Sequence, residues 1–157
     1  MSSEKCAIAL LVLAAGTVAY AGQATGSSQA VKVCSLVSLA EMKKLAPWPP
    51  NVDQSAKAEE VVLPQRSLCV YPTAQVQVES YRTQIIDSAR KTARLDPIPG
   101  IGDEAYIRNN RNLFAVIYAK VGPHLLTVEM EIAEGQTFET AKPTVIEIAK
   151  AFTTRLR

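Results

Sequence analysis

Between Leu113 and Ile132 the chain reads LFAVIYAKVGPHLLTVEMEI, two apolar runs joined by Val121-Gly122-Pro123-His124. Val, Ile, Phe, Tyr and Thr dominate both runs and Gly-Pro is a turn signal, so the segment predicts a β-hairpin. In the second run Leu126, Val128, Met130 and Ile132 alternate with Thr127, Glu129 and Glu131, which gives one buried face and one wet face. The first run is apolar on both faces, with Leu113, Ala115, Ile117, Ala119 and Val121 on one and Phe114, Val116 and Tyr118 on the other. That is the pattern of a strand central in its sheet.

Period-2 patterning also marks Ser67–Tyr71, ending at Pro72, and Gln75–Glu79, with Pro72-Thr73-Ala74 as the turn between them. From Tyr81 to Arg94 the period becomes helical, with Tyr81, Ile85, Ala89 and Ala93 on one face. Ser38-Leu39-Ala40-Glu41 has the form of a capping box, predicting a short helix over 39–45 with Leu39, Met42 and Leu45 inward and Lys43 and Lys44 near its C-terminal dipole. Pro47-Trp48-Pro49-Pro50-Asn51 stops that helix, and a long loop runs until Val61-Val62-Leu63 before Pro64. Asp96 to Gly102 (DPIPGIG) is a rigid connection into a strand that includes Asp103 to Ile107, and Asn109 to Asn112 is a turn. The last helix carries Ala141, Val145, Ile148, Ala149, Phe152 and Leu156 at helical spacing and ends in Arg155 and Arg157, cations that suit its C-terminal dipole. Thr144-x-x-Glu147 offers it a capping box, while Thr137 or Thr140 offers an earlier start with Pro143 in the first turn. Strands and helices in this order predict an α+β domain: an antiparallel sheet of about five or six strands with helices packed mainly on one face.

The N-terminus changes the picture. Lys5 precedes an apolar run from Ala7 to Ala15, and Ala19-Tyr20-Ala21 has the A-x-A form of a signal-peptidase site. The run is too short to span a bilayer, so residues 1–21 read as a signal peptide cleaved after Ala21, with Ala24 as second choice and a retained single-pass anchor as the alternative. Residues 22–30 then form a flexible tether and 31–157 a single domain. Cys6 lies before the apolar run, whereas a lipoprotein cysteine would follow it, so the expected product is periplasmic or secreted, without a stable membrane anchor. Removing the leader leaves Cys34 and Cys69, an even count that in an exported chain predicts a disulfide over two separate buried thiols. In the chain-entropy model its loop closure is worth about 3.8 kcal/mol. One histidine and no C-x-x-C spacing argue against a metal site, no cofactor motif occurs, and a net charge of +2 without charge blocks gives no case for nucleic acid.

Candidate chemistry is sparse. Trp48 and Pro49, in the long loop, are candidate contacts for a ligand or partner together with Tyr71 and Tyr118 on the neighbouring sheet; the alternative for Trp48 is a plug that fixes the loop to the core. His124 stands at the hairpin turn with no serine or cysteine nucleophile identifiable beside it, which reads as a surface histidine rather than a catalytic base. Glu129 and Glu131 share a strand face, and Asp103 and Glu104 are placed to pair with Arg108 and Arg111 on the surface. Gly100-x-Gly102 lacks the third glycine and the G-K-[ST] of phosphate loops and leads into a strand. No catalytic residue is assigned.

Cys34-Ser35-Leu36-Val37-Ser38-Leu39-Ala40-Glu41, Cys69-Val70-Tyr71 and Pro99-Gly100-Ile101-Gly102-Asp103-Glu104-Ala105-Tyr106 together resemble small exported bacterial domains, many of them lipoproteins. The resemblance implies an antiparallel sheet with packed helices, similar to the PsbP and Mog1 type of fold or to extracellular sensor domains of bacterial kinases; it brings no catalytic residue. The function expected is a non-enzymatic binding or interaction domain of the bacterial envelope, with an unidentified envelope protein or small ligand as partner. A small envelope hydrolase or lyase using Glu129, Glu131, Asp103 or His124, whose groups would converge in one cleft, is the first alternative. A secreted inhibitor or immunity factor, whose Trp48 loop would project as an anchor, is the second.

Overall fold

The computed structural model describes residues 31–157, so the expected signal peptide and tether, with Cys6, lie outside the described residues. Alternating runs become β1 (Glu59–Leu63), β2 (Arg66–Tyr71), β3 (Ala74–Ser80), β4 (Asp96–Pro97), β5 (Glu104–Asn110), β6 (Phe114–Val121) and β7 (His124–Glu131). They form one antiparallel sheet in the order β1-β2-β3-β7-β6-β5-β4. Seven strands replace the five or six expected. Two lie at the edges, where backbone pairing rather than hydrophobic alternation defines a strand. β1 takes in Glu59 and Glu60, opposite Val70 and Cys69, and β4 is the two-residue pairing of Asp96 and Pro97 with Ile107 and Tyr106. Proline is tolerated at such an edge because its missing N–H breaks no interior ladder. Glu59, Glu60 and Pro64 flank the exposed apolar residues Val61, Val62 and Leu63 of the other edge, guarding it against strand addition.

Three helices, α1 (Val33–Leu36), α2 (Leu39–Leu45) and α4 (Phe138–Leu156), pack on one face of the sheet, where Met42, Val76, Ile117, Val128, Ile148 and Phe152 are buried together. On the other face α3 (Thr83–Thr92) sets Ile86 and Ala89 against Val116, Tyr118 and Leu125. β6 is apolar on both sides because each side has a helical cover. The inner stripe of α3 is wider than the one read in the sequence: Ala89 is buried and Tyr81 and Ile85 pack partly buried beside it, and Ile86 joins them as the more buried isoleucine.

α4 begins earlier than its Thr144-x-x-Glu147 box suggests. Thr137 is the N-cap, its hydroxyl accepting from Thr140 N and Thr140 Oγ1 accepting from Thr137 N, so Pro143 lies inside the helix, beyond the first turn. Cys34 forms its disulfide with Cys69 from a short helix of its own, α1, just upstream of α2; the Cα atoms are 5.1 Å apart.

The N-terminal helices are held from the far end of the chain. Arg155, expected only to complement the dipole of α4, donates to Leu36 O (2.8 Å) and to Glu41 Oε1 (2.5 Å). Glu41 also closes the Ser38 capping box, accepting from Ser38 N at 2.9 Å. The Ser38 amide, then Arg155 and the Ser38 hydroxyl, hold its carboxyl down from 4.5 to about 2. A folded-state pKa below the unfolded one contributes stability that is complete above the unfolded value, about 4.3, and is lost as pH falls through the folded value. The unfolding free energy should therefore decline between roughly pH 4.5 and pH 2, and Glu41→Gln should flatten that decline. Urea titrations of both proteins across this range check it; parallel curves would exclude Glu41 as a source of the acid sensitivity.

Candidate functional site

α2 ends at Ala46, whose N–H caps Met42 O at 2.8 Å, and Pro47, Pro49 and Pro50 prevent its continuation. The loop that follows is ordered by its own polar groups. Pro49 O accepts from Val52 N (3.0 Å) and Gln54 Nε2 (3.2 Å), and Asp53 Oδ1 accepts from the Ser55 hydroxyl (2.7 Å) and amide (2.8 Å), which lower the pKa of its carboxyl. Lys43 ties loop to helix, donating to Gln54 O at 2.7 Å while its ammonium lies 4.1 Å from the centroid of the Trp48 ring. Trp48 is thus half-buried beneath a cation, outside the core clusters.

Facing this loop is the end of β7 and its connection to α4. Glu131 N donates to Thr73 O (3.0 Å), Gln136 N donates to Ala133 O (2.9 Å), and Gly135, at φ +80°, lets the chain turn back into α4. Loop and connection enclose a cleft of about 720 Å³. That is the size of a small-molecule site, commonly about 300–1,000 Å³. Pro47, Pro49, Val52 and Met130 give it apolar walls, and the exposed carboxylates of Glu131 and Glu134 stand at its rim.

The four contact residues read from the sequence are not gathered on one surface. Pro49 lines the cleft and Trp48 adjoins it in the chain. Tyr71 is buried in the core on the helix-covered face: it is 3% exposed, donates its hydroxyl to Val37 O at 2.7 Å and meets Phe152 edge-on at 6.4 Å, and burial pushes its phenol up to about 12. Tyr118 lies on the opposite face of the sheet under α3, with the Arg108 guanidinium 5.6 Å from its ring centroid; burial raises its pKa too. Tyr71 shares the pleat side of Cys69, two residues earlier, and so follows the disulfide into the core. The Met130–Gln136 wall escaped the sequence reading; its only trace there is an acid-and-glycine turn after an alternating strand.

Of the groups considered for catalysis, Glu131 lines the cleft and His124 a separate recess. Asp103 is engaged structurally, accepting from Gly122 N at 2.7 Å with Arg157 3.6 Å away. Glu129 and Glu131 lie along β7 from His124 by about 17 and 23 Å at roughly 3.3 Å per residue. Sequence reading found no nucleophile beside His124, yet the β3–β7 register sets Ser80 directly opposite it in a shallow recess of about 120 Å³. Glu79 also lines that recess, but its carboxylate accepts from Gln77 Nε2 at 2.7 Å. The expected surface pairs are rearranged as well: Glu104 approaches Arg90 (3.9 Å), Asp103 meets Arg157, and Arg108 covers Tyr118. Arg111 instead occupies the β5–β6 turn at φ +57° beside Asn112 at φ +56°.

Among the described residues no cluster of three or more His, Cys, Asp or Glu side chains could hold a metal, and no helix is long and apolar enough to cross a membrane. The chain matches no family model, no curated protein and no solved structure.

Proposed function

We propose that the chain is a non-enzymatic binding module of the bacterial envelope that takes a small ligand in the cleft between the loop after α2 and the β7–α4 connection. The observation that carries this reading is the cleft itself: about 720 Å³, with apolar walls and a polar rim, on a sheet stapled by Cys34–Cys69. The leader-like N-terminus and the cysteine pair support a place outside the cytoplasm, where a disulfide persists. Glu131 lines the cleft and His124 a separate recess, which supports binding over hydrolysis by those two groups, because a general acid–base pair must reach the same atoms of one substrate.

Trp48, the single tryptophan of the chain, adjoins the cleft and supplies a reporter. Titration of the purified protein with a library of small molecules and with small-molecule envelope extract should change its emission and raise its melting temperature. Val52→Phe, which narrows the cleft from an exposed loop, should abolish both responses with the fold intact by circular dichroism. A wild-type protein that responds to nothing, or responses that survive in Val52→Phe, would overturn the reading.

A further inference from the structure

Resting on that reading, we infer that the Cys34–Cys69 bridge is a redox latch on the cleft: its reduction by a dithiol frees one wall and lets the cleft open. The two walls belong to different parts of the fold. Pro47, Pro49, Asn51 and Val52 lie between the two cysteines in the chain, whereas Thr73 and Met130 to Gln136 lie beyond them. The second wall is built into the sheet, since Glu131 N donates to Thr73 O (3.0 Å) and Ile132 N to Leu113 O (2.9 Å). The first wall is not. Among the described residues, every hydrogen bond made by residues 47–57 stays within the loop or comes from Lys43 of α2, and none reaches the sheet or α4. Trp48 and Val52 stand outside both core clusters, so this wall goes where α2 goes.

The hold on α2 lies mostly at its start. Met42 is its one buried residue, Arg155 grips it through Glu41, and Tyr71 donates to Val37 O just before it. The covalent hold is further upstream on α1, whose four residues have no side-chain cap bond and cannot persist as a free helix. Cys69 is fully buried and Cys34 half-buried, so a thiolate approaches the bridge from the Cys34 side. One thiolate of the dithiol bonds to Cys34 Sγ and breaks the S–S bond, and Cys69 leaves as a thiolate that takes up a proton. The reagent's second thiol gives up its proton and displaces Cys34, which leaves as a thiol while the reagent closes into its own disulfide. Two electrons and two protons have then passed to the protein. The ladders joining β2, β3, β7, β6 and β5 do not run through the bridge, so the sheet keeps its wall while α1 frays and α2 loses its upstream anchor. The coupling is reciprocal: a molecule that spans both walls makes the bridge harder to reduce by the factor with which reduction weakens its binding.

Dithiothreitol added to the purified protein tests the latch. Collisional quenching of Trp48 by acrylamide should rise about twofold or more on reduction and return on reoxidation. In hydrogen exchange, the amides of Met42 and Ala46, bonded to Ser38 O and Met42 O, should gain about tenfold or more over those of β6 and β7, a ratio that a uniform loss of stability does not raise. Cys34→Ser with Cys69→Ser should match the reduced protein and ignore the reagent. Unchanged quenching, exchange that accelerates equally in α2 and in the central hairpin, or unfolding of the whole domain on reduction would overturn the latch. Each leaves the cleft reading standing, because the response to compounds and its loss in Val52→Phe are read on the oxidised protein. A wall that loosens in a protein answering to no compound overturns both.

Discussion

Alanine at both Cys34 and Cys69 should lower the unfolding free energy by about 4 kcal/mol, a large share of the roughly 5–15 kcal/mol typical of a domain. Most of this arises in the unfolded chain. The bridge closes a loop of sequence separation 35, and the chain-entropy model assigns such a loop about 3.8 kcal/mol. The remainder is local. α1 has only four residues, no side-chain cap bond and no acidic residue in its first turn, so it cannot persist as an isolated helix. It is held by the bridge, by burial of Val33 and by Arg155 on Leu36 O. Without the bridge α1 should fray first, exposing Val33 and Val37, both now fully buried, and the start of α2 that precedes the cleft loop. Urea unfolding followed by far-ultraviolet dichroism and by Trp48 emission, on the oxidised protein, the reduced protein and the double variant, measures the loss. A loss below about 1 kcal/mol would mean that the packing of α1 stands without the staple.

The pairing of Cys34 with Cys69 was legible because two cysteines follow the leader-like N-terminus, and an even count is what an exported chain would use. The central hairpin was legible because β7 alternates as a pleated strand does, β6 is a nearly continuous run of β-prone apolar residues, and Gly122-Pro123 marks the turn between them. The edge strands were not. β1 is exposed throughout and β4 contains a proline, so neither has the alternation that sequence reading detects; they are strands because β2 and β5 offer free backbone groups to pair with. The cleft was half legible. Consecutive prolines announced a long irregular loop after α2, and Pro49 lies on its wall, but the opposing wall comes from residues some eighty positions later, brought there by the β3–β7 pairing. Tyr71 and Tyr118 were misplaced for a related reason: an aromatic residue in a strand shows its pleat side in the sequence, but not which side a helix will cover. Arg155 and Arg157 carry the same lesson. Their position suits a helix dipole, and their partners, Glu41 and Asp103, are named only by the folded chain.

Valine at Gly102 should cost about 3 to 5 kcal/mol, whereas alanine at Gly100, two residues earlier in the same G-x-G-D segment, should cost only about 1 to 2 kcal/mol. Both glycines have positive φ, +77° at Gly100 and +58° at Gly102, so any side chain pays the left-handed penalty at either position, and a β-branched one pays more. The surroundings differ. A Cβ at Gly100 would meet open space, but at Gly102 it would run into Lys120 O well inside van der Waals distance. That oxygen cannot withdraw cheaply: it is backbone of β6 and already accepts from Asp103 N at 2.8 Å. Asp103 in turn accepts from Gly122 N in the β6–β7 turn, and Arg157 donates to Gly102 O at 2.9 Å, so one close approach latches the segment, the central hairpin and the end of α4 together. The motif that superficially suggests a phosphate loop is therefore a structural clasp, and it should fail at its second glycine. Urea unfolding of Gly100→Ala and Gly102→Val against the parent measures the two losses, and Gly100→Val separates the cost of β-branching from that of the contact with Lys120. Equal losses for valine at the two positions would show that backbone strain alone, without the contact to Lys120, accounts for the glycines.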